Sequence, residues 1–104
     1  MTNASGLLDV LAEPTRRAIL ERLVAQPSAV SDIARDMPIS RSAVSQHLQL
    51  LKSVGLVTDH AEGTRRIYQV DPDALAIICS YFDAFWKRSL ASFHQAAEPT
   101  ERTR

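Results

Sequence analysis

The sequence predicts a mainly α-helical domain with one small β-hairpin, in the order α-α-α-α-β-β-α. Three observations carry that expectation. A short amphipathic segment is stopped by Pro38 and followed almost at once by a second that opens on Ser40, two alternating stretches meet at Glu62-Gly63, and a long aromatic stripe begins after Asp71-Pro72. A chain of 104 residues has room for one modest core. These features therefore belong to a single domain over residues 1–97, and the polar stretch 98–104, which contains Pro99, is expected to fray.

Ala4, Leu7, Leu8 and Leu11 recur at helical spacing. Pro14 then suits the first turn of a second helix, where its missing N–H is no loss. That helix is expected from Thr15 to Ala25, burying Ile19, Leu20, Leu23 and Val24, and Gln26-Pro27-Ser28 ends it. In a third, short helix Val30, Ile33, Ala34 and Met37 share one face until Pro38 stops it. Ser40 is a good N-cap for the fourth, and with only Pro38 and Ile39 before it the two helices must cross steeply, as a helix-turn-helix.

The fourth helix, Arg41 to Val54, divides cleanly at about 100° per residue. Ala43, Val44, His47, Leu48, Leu50, Leu51 and Val54 form one half, and Arg41, Ser42, Ser45, Gln46, Gln49, Lys52 and Ser53 the other. The polar half carries no acid. A helix that is merely solvated mixes both signs to gain i,i+4 pairs, whereas this face offers hydroxyls, carboxamides and cations. Gln suits adenine N6/N7, Arg suits guanine O6/N7, and Ser suits a base edge or a phosphate. His47, centred in the apolar half, reads as a packed and internally hydrogen-bonded histidine rather than a base contact.

Gly55 suits a helix C-cap, and Leu56–Ala61 and Thr64–Val70 then read as a hairpin turning at Glu62-Gly63. Arg65 and Arg66 lie just past its tip, placed to reach phosphates beside a helix lying in the major groove. A hairpin so placed is a wing, and the whole is a winged helix-turn-helix. The candidate DNA-binding residues are Ser40, Arg41, Ser42, Ser45, Gln46, Gln49, Lys52, Arg65 and Arg66. Arg16 and Arg17 stay outside this set, because Arg16 also suits a tie between the second helix and its neighbours.

Asp71 and Pro72 open a last helix expected over Asp73–Ala97. Its apolar surface is too broad for one small domain to cover, so a second copy of the chain is expected against it. The candidate dimer interface comprises Leu7, Leu8 and Leu11 of the first helix and Ile78, Phe82, Phe85, Trp86 and Phe93 of the last. Cys79 reads as a small apolar filler on the same helix.

Composition excludes several alternatives. One cysteine allows neither an intrachain disulfide nor a multi-thiolate zinc site. No apolar run of about 18 residues and no signal-peptide pattern appears, so a cytoplasmic protein away from membranes is expected. Gly6, Gly55 and Gly63 lie too far apart for a nucleotide loop, and the histidines form no H-E-x-x-H pair. No nucleophile, base and orienting group recur at local spacing, so neither an enzyme nor a bound cofactor is expected. The chain is neutral overall, yet Pro14–Arg66 holds eight Arg/Lys against five Asp/Glu, which favours a polyanionic partner for that stretch.

The stretch Leu11-Ala12-Glu13-Pro14-Thr15-Arg16-Arg17-Ala18-Ile19-Leu20 resembles the ArsR/SmtB family of bacterial repressors, as do Ser42-Ala43-Val44-Ser45-Gln46-His47-Leu48 and Leu50-Leu51-Lys52-Ser53-Val54-Gly55-Leu56-Val57. The resemblance covers about residues 5–95. It implies a homodimer paired through its first and last helices that represses transcription by binding an operator. Many members sense metals, but the family's C-V-C-D-L motif falls on Ala29-Val30-Ser31-Asp32-Ile33, which lacks both thiols. In the last-helix pattern, D-x-H followed by H-x-x-E or H-x-x-H, Asp83 and His94 keep their places but Phe85 and Ala97 hold the others. The chain thus resembles the non-sensing, autorepressor-like branch, with no metal site and with an effector that the sequence does not identify. The rival reading is a winged-helix protein-interaction module that never touches DNA.

Overall fold

The computed structural model describes residues 4–102, with side chains described as far as residue 95. Its elements are α1 (Ala4–Leu11), α2 (Pro14–Ala25), α3 (Val30–Asp36), α4 (Arg41–Ser53), β1 (Val57–Glu62), β2 (Arg65–Val70) and α5 (Pro72–Arg102). The expected order is the observed one. Among the described residues, no helix is long and apolar enough to cross a membrane.

Local chemistry sets most boundaries. Pro14 occupies the first turn of α2, and the Glu13 carboxylate caps it by accepting the Arg16 N–H at 2.8 Å. The α3 helix ends at Asp36, since the residue before Pro38 is steered out of the helical region. Ser40 Oγ accepts the Ala43 N–H at 3.0 Å and starts α4. Gly55, at φ 85°, ends it: its N–H donates to Lys52 O and the Leu56 N–H to Leu51 O, both at 3.0 Å. This is a Schellman motif, and its characteristic apolar contact is supplied by the fully buried Leu51 and Leu56.

The hairpin runs in register from Val57 opposite Val70 to Glu62 opposite Arg65, so the turn falls on Gly63-Thr64, one residue later than the sequence suggested. Gly63, at φ 65°, supplies the left-handed conformation that a two-residue turn requires. A third backbone segment joins this sheet. Ser28 and Tyr68 exchange both backbone hydrogen bonds, at 3.0 and 2.9 Å, tying the link before α3 to the middle of β2.

The core gathers Ile19, Leu20 and Leu23 of α2, Ile33 of α3, Val44, Leu48 and Leu51 of α4, Leu56, Val57, Tyr68 and Ala74. Each fully buried aliphatic side chain contributes about 1.5–3 kcal/mol of transfer free energy. Three expectations need correction. Leu7 is fully buried in the core of its own chain, so it is not available to a partner's surface. Val24 and Leu50 are exposed, because each lies at the margin of its helix's apolar arc; Val24 borders an open groove with Gln69 and Val70 of β2 and Pro72 and Leu75 of α5.

Arg16 and Arg17 fold back onto the end of α1. Arg16 Nε donates to Val10 O at 2.7 Å and an Arg17 guanidinium N–H to Leu11 O at 3.1 Å, so two carbonyls at that helix's C-terminus gain cationic donors. α1 in turn packs on α2 and on the first part of α5. α5 spans 31 residues, about 46 Å at helical rise, and outruns the rest of a molecule measuring 71 × 28 × 20 Å. It continues past the expected end at Ala97 to Arg102. The expected fraying of 98–104 concerns residues whose side chains, and at 103 and 104 also the backbone, lie outside the described residues.

Candidate nucleic-acid interface

With Val44, Leu48 and Leu51 buried, the opposite side of α4 must face outward. Ser40, Arg41, Ser42, Gln46, Gln49 and Lys52 are all exposed, and Ser45 is half-buried. Ser40 is committed to its cap, which leaves its hydroxyl hydrogen free to donate outward. Among the described residues, no side-chain hydrogen bond or ion pair occupies Arg41, Ser42, Gln46 or Gln49. Four adjacent polar groups on one rigid helix are therefore open to an external partner.

The wing lies beside this face, with Arg65 and Arg66 exposed, and the three remaining cations of the surface are held by acids. Arg65 pairs with Asp32 of α3, whose other oxygen takes Arg35 at 2.6 Å. Lys52 Nζ lies 2.8 Å from Asp59 Oδ1, and Arg66 Nε lies 3.2 Å from Asp59 Oδ2. The Lys52 ammonium holds the Asp59 carboxyl below the usual carboxylate range, with further help from Arg66. Asp32 is likewise held low, first by the Ala29 N–H that it accepts at the start of α3 and then by Arg65 and Arg35. Between the start of α3, the N-terminus of α4 and the wing lies a groove of about 240 Å³ lined by Ser31, Arg41, Thr64, Arg65, Arg66 and Tyr68.

His47 sits on the inner flank of α4, half-buried, and its Nδ1 is buried without a hydrogen-bond partner. The packed position was expected, and among the described residues the expected internal hydrogen bond to the ring is not found. Its environment includes the Glu13 carboxylate, which is held low chiefly by the Arg16 N–H and to a smaller degree by His47.

The aromatic stripe of α5 is left bare. From Cys79 to Gln95 every side chain is exposed except half-buried Ser89, with Trp86 at 57% and Phe93 at 70%. Ile78 is half-buried where α5 leaves the core, while Phe82, Phe85, Trp86 and Phe93 stand in the open; Leu8 and Leu11 of α1 are half-buried. Tyr81 and Phe82 meet edge to face at 5.8 Å, as do Phe85 and Trp86 at 5.6 Å. Cys79 is exposed as well, so it fills no space within its own chain. Sequence periodicity identified this stripe but missed the two carboxylates, whose role depends on distant residues. The pairing of Asp32 with Arg65, in particular, spans 33 positions.

A helix-turn-helix with an exposed, acid-free second helix and an adjacent arginine-bearing hairpin defines the class of winged DNA-binding regulators. A helix-turn-helix domain family matches residues 11–60. The HTH-type transcriptional regulator Rv2034 of Mycobacterium tuberculosis is 54% identical over 82% of this chain and 79% of its own. The transcriptional repressor SdpR of Bacillus subtilis is 31% identical over 68% and 79%. Among solved structures, an ArsR-like transcriptional regulator from Rhodococcus sp. RHA1 superposes with a TM-score of 0.73 at 29% identity, covering 90% of this chain and 92% of that one. A possible transcriptional regulator for arsenical resistance does so with a TM-score of 0.71 at 42% identity, covering 84% and 95%. The chain belongs to the ArsR/SmtB family and is a DNA-binding transcriptional regulator.

Proposed function

We propose that the protein is a homodimeric repressor that binds an inverted-repeat operator and carries out no catalysis. The single observation behind this reading is the open polar face of α4, which bears Arg41, Ser42, Ser45, Gln46 and Gln49 with no acid among them. Inserted in the major groove, these side chains meet base edges, while Ser40, Lys52, Arg65 and Arg66 lie nearer the phosphates. Leu8, Leu11, Ile78, Phe82, Phe85, Trp86 and Phe93 join two copies, and the two-fold axis then spaces the recognition helices.

The reading places the protein in the cytoplasm, where the chromosome is. It assigns no metal and no cofactor, since Ala29 and Ser31 stand where the family's thiolate motif would need soft ligands. Occupancy of the operator then follows dimer concentration or an effector of unassigned chemistry.

Footprinting on the promoter of its own gene tests the geometry. Two protected half-sites are expected about one helical turn, roughly 34–36 Å, apart on one duplex face. A single unrepeated patch rules out the dimer geometry, and absence of binding to any duplex at low salt favours the protein-interaction module instead. Within the same experiment, Gln46→Ala is expected to reduce discrimination against a single wrong base pair by about 1–3 kcal/mol, if the carboxamide makes a bidentate contact with adenine. Competition titrations with single-base operator variants read this directly, and unchanged discrimination at every position removes Gln46 from the base-reading set.

A further inference from the structure

With α4 and the wing facing DNA, the reading on which this inference rests, their shared surface contains a carboxylate for which phosphate recognition has no use. Asp59 stands on β1 opposite Tyr68, its side chain 9% exposed, with one oxygen on Lys52 of α4 and the other on Arg66 of β2. A fixed negative charge there opposes every polyanion alike, whatever its sequence. It therefore does not serve raw affinity.

Nor is it needed to hold the fold together. β1 and β2 are already joined by their ladder, and α4 is joined to β1 through the Gly55-Leu56 cap. Ion pairs to cations that are themselves about half exposed add little stability. Asp32 differs in this respect, because it also accepts the Ala29 N–H and so helps to begin a helix. Asp59 begins none.

Its remaining effect is on the two cations. Lys52 and Arg66 are long, flexible and carried on different elements, and a free pair of this kind accepts a phosphate in many positions. Held on the two oxygens of one largely buried carboxylate, they share one arrangement, and one of their two positive charges is matched until a phosphate arrives where that arrangement meets it. We infer that Asp59 is a specificity-determining residue: it fixes Lys52 and Arg66 together and weakens binding to unselected duplex more than binding to the operator.

The test compares the full-length wild type with Asp59→Asn, which keeps the shape and removes the charge, and with Asp59→Glu, which keeps the charge. The probes are a duplex selected by the wild type from a random pool and poly(dI–dC). Asp59→Asn is expected to bind poly(dI–dC) about tenfold more tightly at about 50 mM salt, with a log–log salt slope steeper by about 0.9 for the one unit of positive charge released. Affinity for the selected duplex is expected to change less, so that the ratio of the two falls at least about fivefold, while Asp59→Glu keeps the ratio within about twofold.

Equal changes on both duplexes, or a weakening on both accompanied by a lowered melting temperature, overturn the inference and leave the DNA-binding reading intact. A wild type that selects no duplex overturns both. Should Asp59→Asn not fold, Asp59→Ser carries the test, with the same results expected and the same results overturning the inference.

Discussion

Trp86→Ala is expected to dissociate the proposed dimer. Trp86 is 57% exposed on its own chain, packed edge to face on Phe85 and without a place in the protomer core, so its truncation leaves α1 to α4 and the hairpin as they are. In the proposed assembly it lies among Phe82, Phe85 and Phe93, where a large aromatic side chain is desolvated by its counterpart. Truncating a central aromatic anchor of that kind costs about 2–4 kcal/mol, or roughly a 30- to 700-fold weaker dimer. Operator affinity falls with it, since each half-site is then bound without the gain from linkage to the other. Sedimentation equilibrium of the variant against the wild type, followed by a gel shift, measures both effects. An unchanged association constant removes the aromatic face from the dimer interface.

Leu48→Ala is expected to lower protomer stability by about 2–5 kcal/mol, the range for deleting a buried leucine side chain and leaving a cavity. Leu48 is fully buried midway along α4, in a cluster with Ile19, Leu23, Ile33 and Leu51. A loss of that size is a large fraction of the roughly 5–15 kcal/mol available to a domain. Leu50→Ala provides the contrast. Leu50 is on the same helix but 45% exposed, so its truncation is expected to stay within about 0.5 kcal/mol. Urea unfolding at one fixed protein concentration measures the pair, the fixed concentration being needed because association into the proposed dimer adds to apparent stability. Equal losses at the two positions contradict the seat assigned to α4.

Recognition depends on this packing as well as on the polar face. Leu48 and Leu51 fix the rotation of α4 about its axis, and in the proposed complex that rotation decides whether Gln46 and Gln49 point at a base edge or past it. A helix loosened at Leu48 keeps its polar residues but loses their direction.

Much of the architecture was legible in the sequence because its signals are local. Pro38 and Ser40 set the turn between α3 and α4, Gly55 ended α4, Gly63 marked the hairpin, and Asp71-Pro72 opened α5. Each acts through a backbone preference or a bond to a residue a few positions away. The apolar arc of α4 was read correctly at Val44, Leu48 and Leu51, which face neighbouring helices. It failed at Leu50, as the reading of α2 failed at Val24, because periodicity gives an angle but not the extent of the surface opposite it. The Ser28–Tyr68 bridge was missed for a related reason: a single pair of backbone bonds leaves no pattern in side chains.

The sequence by itself determined the order of elements, the acid-free outer face of α4 and the aromatic stripe of α5, since all three follow from spacing along one chain. Only the tertiary structure decided that Leu7 belongs to its own core, that Arg16 and Arg17 close the end of α1, and that Asp32 and Asp59 hold the cations of the wing. Those outcomes join residues from different elements. Charge pairing and burial act through distance in space, and that distance is fixed only once the elements have packed.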